Sequence, residues 1–360
     1  MRSARGETAC KAGMPKVMND KKPEAVSRRA FLGACLLASE AVVLSGCAHT
    51  LSGVNSREAE EAAAGARLLI RRPVHFRILQ FTDLHFFGGK EPLRNLGNER
   101  TVNTLKQLTK LTRPDLVMVT GDLWPENREG KAEEHMRFAI EQLESLGVPW
   151  GYVWGNHDKL PDYTVGHRAF TEAKNSLYRG AQNNGNYSID IVNRYGHRIW
   201  QLLCLNTGEN GVDAAAREWL RELLAFDPKP SARLAFFHIP LKQYGDAWAS
   251  GSAAGFKGEE VCQEQEDGST LPLLKELGVR ACFCGHDHVN DFSGMCDGVE
   301  LVYGRATGAG SYGTSRFRKG GKLIVANGWT RQCTWRSITE DGKRWHPRRG
   351  ERVDDSARRR

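Results

Sequence analysis

Three times between residues 75 and 156, an apolar run stops abruptly at a residue able to bind a metal, and helical spacing separates one such run from the next. His75–Thr82 ends at Asp83 and His85, LVMVT (116–120) runs into Gly121 and Asp122, and Trp150–Trp154 ends at Asn156. Between them, Asn95–Leu111 and Ala132–Leu146 repeat apolar residues with a helical period. This strand, ligand, helix rhythm predicts an α/β fold, and in open α/β sheets ligands gather beyond the carboxyl ends of the strands. Further along, Asn186–Val192 and Arg198–Leu205 read as a hairpin through Asn193–Gly196, and a helix at Ala214–Leu224 leads to a strand ending at His238. From Val279 onward the pattern is mostly β, with strands expected near 280–284, 289–295, 299–303, 322–326 and 332–338.

Five short patches carry the chemistry: DLH at 83–85, GD at 121–122, GNHD at 155–158, His238 within FFHIPL, and GHDH at 285–288. A single DxH or GD is more often a turn or a helix cap than a ligand. Two histidines two apart at a strand end are different, because they face the same way and are costly to bury unless they bind something. Two cations held roughly 3.5–4 Å apart can clamp a phosphate ester and lower the pKa of a bound water from 15.7 towards about 7. Asp83, His85 and His288 can hold one ion and Asn156, His238 and His286 the second, which leaves Asp122 as the bridging carboxylate. Mixed imidazole, carboxylate and amide donors suit zinc, iron, manganese or cobalt rather than calcium. His157 is then free to donate a proton to a leaving alkoxide, with Asp158 expected to set its tautomer. Asp287, between two ligand histidines, is expected to point away from the metals.

In order and spacing these blocks resemble those of the calcineurin-like metallophosphoesterase superfamily, over residues 74–338. HIPL followed by Tyr244, GHDHVNDF (285–292) and YGRATGAGSYG (303–313) are most similar to the purple acid phosphatase-related branch that includes the Dcr2-type phosphatases. The resemblance implies a four-layer αββα sandwich of two mixed β-sheets flanked by helices. It also implies metal or catalytic roles at Asp83, His85, Asp122, Asn156, His157, His238, His286 and His288. One departure stands out: the metal-binding tyrosine of the purple enzymes, three residues after the bridging aspartate, is here Pro125. Proline cannot ligate, so a purple tyrosinate centre is not expected, and two divalent ions or an iron-free pair fit as well.

The formal charge of +8 hints at nucleic acid until it is partitioned. Residues 1–46 and 341–360 each hold 8 basic and 4 acidic residues, and the remainder carries 35 of each. A neutral body lacks the basic face that nucleic-acid binding needs, so no such partner is expected. Residues 1–47 read as a twin-arginine-like signal, with SRRAFL at 27–32 and a lipoprotein-like LSGC at 44–47 that would leave a lipid-bearing Cys47. Residues 48–72 read as a flexible tether, 73–340 as the metallophosphoesterase domain and 341–360 as a disordered basic tail. Without a CxxC pair, a zinc ribbon is not expected. GAGSYG (308–313) matches a dinucleotide-binding pattern in letters only, since no helix follows, and reads as a loop beside the metals.

The expected function is a dinuclear metal-dependent phosphoesterase, exported to the periplasm or cell envelope and membrane-bound through a lipid anchor. It would hydrolyse small phosphate esters, monoesters more than diesters, by attack of a metal-bound hydroxide. The alternatives are a diesterase with the same centre, or an envelope lipoprotein that binds metal or phosphate without turnover.

Overall fold

The computed structural model describes residues 65–87, 92–227, 232–313 and 317–356, all within the compact unit Glu58–Arg360. The twin-arginine-like segment, Cys47 and the tether as far as residue 64 lie outside the described residues. Two mixed sheets are flanked by helices. The smaller has six strands and is built on three parallel ones, β2 (Phe76–Phe81), β3 (Leu116–Thr120) and β4 (Trp150–Val153). Their crossovers run through α1 (Pro92–Thr112) and α2 (Ala132–Glu144). On the other side of β2 the sheet continues antiparallel through β12 (Gly320–Ala326), β13 (Cys333–Thr339) and β14 (Arg344–Trp345).

The larger sheet has nine strands in the order β1-β5-β6-β7-β9-β11-β10-β8-β15. These are β1 (Ala66–Leu69), β5 (Tyr187–Val192), β6 (Arg198–Cys204), β7 (Arg233–Phe236), β9 (Val279–Cys284), β11 (Val299–Tyr303), β10 (Asn290–Cys296), β8 (Ala253–Lys257) and β15 (Arg352–Asp354). Its centre, β6, β7, β9 and β11, is parallel. Among the described residues, four further α-helices complete the fold: α3 (Tyr163–Glu172), α4 (Ala214–Phe226), α5 (Lys242–Ala249) and α6 (Thr270–Glu276).

Alternation along the strands sorts side chains into layers, because successive residues of a strand point to opposite faces. In β9, Ala281 and Phe283 join a core cluster with Phe81, Val117 and Tyr152 of the smaller sheet. Cys282 and Cys284 join a second cluster with Leu220 of α4, Tyr244 of α5 and Leu274 of α6. The first cluster also holds Leu105 and Leu108 of α1 and Met136, Ala139 and Leu143 of α2, so the smaller sheet is covered on both faces. Every residue of LVMVT in β3 is accordingly buried, as expected of a central parallel strand. Each of its buried Leu, Val and Met side chains contributes about 1.5–3 kcal/mol of burial energy.

Both limits of the expected domain need correction. Ala66–Leu69 is not tether but an edge strand parallel to β5. The basic tail is not wholly disordered: Arg352–Asp354 pairs with β8, Trp248 Nε1–H donates to Asp354 at 3.0 Å, and Arg344–Trp345 pairs with β13. Short edge strands with charged residues carry too little apolar periodicity to be read locally; they are held by the neighbour's open backbone groups. Among the described residues, no helix is long and apolar enough to cross a membrane.

Candidate metal centre

The loops that leave β2, β3, β4, β7 and β9 meet at one point, and they are bonded to one another as well as to their strands. Asp83 N–H donates to Gly121 O at 3.1 Å, His85 N–H to Asp122 O at 2.9 Å, and Gly285 N–H to His238 O at 3.0 Å. This close approach excludes side chains at two glycines. A Cβ at Gly155 would lie 2.2 Å from Asp122 Oδ1, and one at Gly285 2.0 Å from Thr82 Oγ1. Asp83, His85, Asp122 and His286 all adopt positive φ, between 45° and 79°. Non-glycine residues rarely take this conformation, and it costs on the order of 1 kcal/mol or more each. The fold holds ligand-type residues in strained positions.

Asp122 lies between two sets of donors. Its Oδ2 is 3.5 Å from His85 Nε2, and its Oδ1 is 3.3 Å from His238 Nε2. On the first side, His85 Nε2 lies 3.2 Å from His288 Nε2, which is 3.3 Å from Asp83 Oδ1. On the second, Asn156 Oδ1 lies 2.9 Å from His238 Nε2 and 3.1 Å from His286 Nδ1. Asp83, His85 and His288 therefore group on one side and Asn156, His238 and His286 on the other, with Asp122 shared. His238 Nδ1 sits 2.8 Å from Thr120 O; a proton there leaves Nε2 facing the site as an acceptor.

These residues fit cations. Asp83 Oδ2 and His288 Nδ1 are buried without any hydrogen-bond partner. Two buried carboxylates and four imidazoles, aimed at each other across 3.2–3.5 Å, leave acceptor positions that their own protons do not fill. Imidazole, carboxylate and amide oxygen are donors for first-row divalent ions. The charges respond to the crowding. Burial opposes ionisation of Asp83, yet the adjacent His288 prevails and holds the carboxyl at about 2. Burial likewise opposes the charge on Asp122, but His238 outweighs it and holds the carboxyl far below the usual range. Burial drives His85 down to about 3. Burial, joined by repulsion from His238, drives His286 down to about 4. At His238 burial is overcome by the Asp122 carboxylate, and the ring is pushed up to about 10.

Asp158 is not where the sequence reading put it. Its carboxylate is buried and accepts from the N–H groups of Asp122 (2.9 Å), Leu123 (2.7 Å), Trp124 (3.2 Å) and Gly155 (2.8 Å), and from Tyr152 Oη–H (2.7 Å). Burial and then Asp122 push this carboxyl up to about 7, against the pull of Tyr152 and Gly155. It braces the bridging loop rather than His157. The partner of His157 is Glu126, whose Oε1 lies 3.2 Å from His157 Nδ1, while the Glu126 N–H donates to His157 O. Glu126 went unnoticed because nothing in WPEN marks it; only the bend after Asp122 turns it back.

His157 is half-exposed, its ring 5.4 Å from that of His85, at the edge of an open cleft of about 780 Å³. The wall of the cleft includes Arg128, Glu259, Cys262, Glu264 and Tyr312. Tyr312, from the glycine-rich loop, stacks on His288 with ring centroids 4.1 Å apart and donates to Glu259. Asp287 does turn away, bonded to Tyr303 Oη–H at 2.6 Å, and burial pushes its carboxyl up to about 8. Lys319 and Arg318 pair elsewhere, with Tyr312 O and Asp341.

Fold and site together define a two-sheet α/β protein with a candidate metal centre at its strand ends. The calcineurin-like phosphoesterase profile matches residues 76–290, and the chain belongs to that family. It is 26% identical over 310 residues to "probable inactive purple acid phosphatase 28" of Arabidopsis thaliana, covering 73% of this chain and 78% of that one. To "phosphatase DCR2" of Saccharomyces cerevisiae it is 24% identical, over 60% of this chain but only 44% of the yeast protein's length. Among solved structures, a purple acid phosphatase from yellow lupin seeds aligns with a TM-score of 0.48 at 14% identity, over 79% of this chain and 54% of that one.

Proposed function

We propose that this protein is a two-metal phosphoesterase acting on small phosphate esters, monoesters in preference to diesters. The observation that carries the reading is the division of seven donors into two sets that share Asp122, with His157 at the edge of an open cleft. When bound, the ions would supply Lewis acidity and an acidified water. Asp83, His85 and His288 would hold one ion, Asn156, His238 and His286 the other, and Asp122 both. His157 donates the proton that the departing alkoxide needs, and Glu126 at Nδ1 orients the ring so that Nε2 faces the cleft. Asp158 keeps Asp122 in place through the backbone. The likeness to purple acid phosphatases and to DCR2 supports the monoester preference. Although three of the plant relatives are named "probable inactive" purple acid phosphatases, this chain keeps all seven donors and His157.

The test is hydrolysis of para-nitrophenyl phosphate and its bis ester by metal-stripped protein reconstituted with manganese, zinc, iron or cobalt. Metal-dependent release, faster from the monoester, is the expected result. Stoichiometric metal binding with neither ester hydrolysed would favour a non-catalytic binding protein. SRRAFL and LSGC further support a lipid-anchored, exported protein. Detergent-phase partitioning of the wild type, lost in Cys47→Ser, would agree with this; equal partitioning of both would contradict it.

A further inference from the structure

A second group of metal-type donors meets the centre at His286, and nothing in the proposed reaction uses its other two members, Cys262 and Glu264. Cys262 Sγ lies 3.2 Å from Glu264 Oε1, which lies 3.7 Å from His286 Nε2. The three donor atoms all fall within 4.8 Å of one another. His286 therefore has two faces: Nδ1 points at Asn156 and His238, and Nε2 points outward at the cysteine and glutamate.

The outer donors are exposed, so an ion reaches them from solvent without any opening of the fold. They are also held. Cys262 N–H donates to Asp287 Oδ2 at 3.2 Å, in the same turn that carries His286, and Gln265 N–H donates to Asn210 O at 3.1 Å. The buried Glu266 carboxylate, two residues on, accepts from the N–H groups of Lys242 (2.7 Å) and Gly268 (3.0 Å). Thiolate, carboxylate and imidazole are all zinc ligands. At ordinary zinc bond lengths, a tetrahedral shell places such donors roughly 3.3–3.6 Å apart. The spacings of 3.2 and 3.7 Å bracket that range.

We propose that Cys262, Glu264 and His286 Nε2 form a third, regulatory zinc site, at which excess zinc competes with the inner centre for His286. One neutral imidazole presents a single lone pair, its other nitrogen carrying a proton. Zinc at Nε2 therefore takes the ring away from the inner ion unless that proton is also lost. Formation of the Zn–S bond releases the Cys262 thiol proton to solvent, with no change of oxidation state. Zinc binding at this site is independent of the phosphoesterase reading; only the inhibitory consequence rests on it.

Cobalt(II) reports the site without any assay of activity. Titrated into the metal-stripped full-length protein, the first two equivalents enter nitrogen and oxygen donors. The third is expected to bring a thiolate-to-cobalt charge-transfer absorption in the near ultraviolet. That band should vanish in Cys262→Ser and persist in Cys333→Ser, and Glu264→Gln should weaken the third equivalent by about tenfold or more. Retention of the first two equivalents shows that each variant is folded. A band that survives Cys262→Ser, or no Cys262-dependent band at all, overturns the proposal. In hydrolysis assays, half-inhibition by zinc should need about tenfold more metal in Cys262→Ser than in the wild type. If the band behaves as expected but no ester is hydrolysed with any metal, the site stands and the phosphoesterase reading falls.

Discussion

Asp158 accepts the backbone N–H of Asp122 at 2.9 Å, so the residue shared by both donor sets is held by a carboxylate that itself touches no metal position. Asp122 has a positive φ of 54°, and the four backbone donors gathered on Asp158 offset that strain. Replacing Asp158 by Ala leaves those donors buried without partners, at about 1–3 kcal/mol for each one that water cannot reach. A loss of about 3 kcal/mol or more in urea unfolding is expected, together with fewer metal equivalents retained after dialysis. If stability is unchanged and only turnover falls, Asp158 acts on His157 after all.

His157→Ala removes a proton donor without removing a metal donor. Turnover of an alkyl phosphate should fall by about 10²–10⁴-fold, with both metal equivalents retained. The fall should be smaller for para-nitrophenyl phosphate, whose phenolate leaves with little help. Equal losses on the two substrates, in steady-state kinetics, would contradict proton donation. Glu126→Gln should reproduce the substrate dependence with a smaller loss.

Metal uptake should expel protons. Against the opposing effect of burial, Asp122 raises His238 from its ordinary range to about 10, so below that pH the metal-free protein carries a second proton on this ring, at Nε2. A cation must displace it, and metal affinity should therefore rise with pH between 6 and 9, with about one proton released from His238. Calorimetric titration with manganese in two buffers of different ionisation enthalpy measures this. Binding enthalpies independent of buffer would contradict it.

How far the sequence could be read follows from how local each signal is. Strands β2, β3, β4, β9 and β11 were legible because their apolar runs are self-contained, and the donor residues stood out because each follows such a run. Asp158 was misplaced and Glu126 passed over because their partners depend on how two loops fold back over each other: no pattern places Tyr152 Oη–H and the Asp122, Leu123, Trp124 and Gly155 N–H groups around one carboxylate, or Glu126 beside His157. Strands β1 and β15 were missed for the same reason, each being four residues or fewer and defined by the edge it completes. Helices α5 and α6, of eight and seven residues, are too short for periodicity to show.

The buried network around Asp291 provides a test of stability away from the cleft. Asp291 meets Lys322 Nζ at 2.8 Å, Arg305 Nη1 at 2.7 Å and Ser337 Oγ at 2.9 Å, with Asp291 and Lys322 fully buried. Burial disfavours its charge, but Lys322 and then Arg305 outweigh burial and lower its pKa. A lowered folded pKa adds stability that is present above the unfolded value, near 3.9, and lost as pH falls through the folded one. Asp291→Asn should cost about 3–5 kcal/mol at pH 7 by stranding Lys322. The wild type should lose part of that advantage on acidification below about pH 4, a dependence absent from the variant. Equal stabilities at pH 7 in urea would contradict this.

The central claim is that one carboxylate, Asp122, joins two ions into a single centre. Electron paramagnetic resonance of the protein loaded with two equivalents of manganese(II) tests it directly. An exchange-coupled multiline spectrum that collapses in Asp122→Asn is the result predicted; two independent six-line signals in the wild type would contradict a shared bridge.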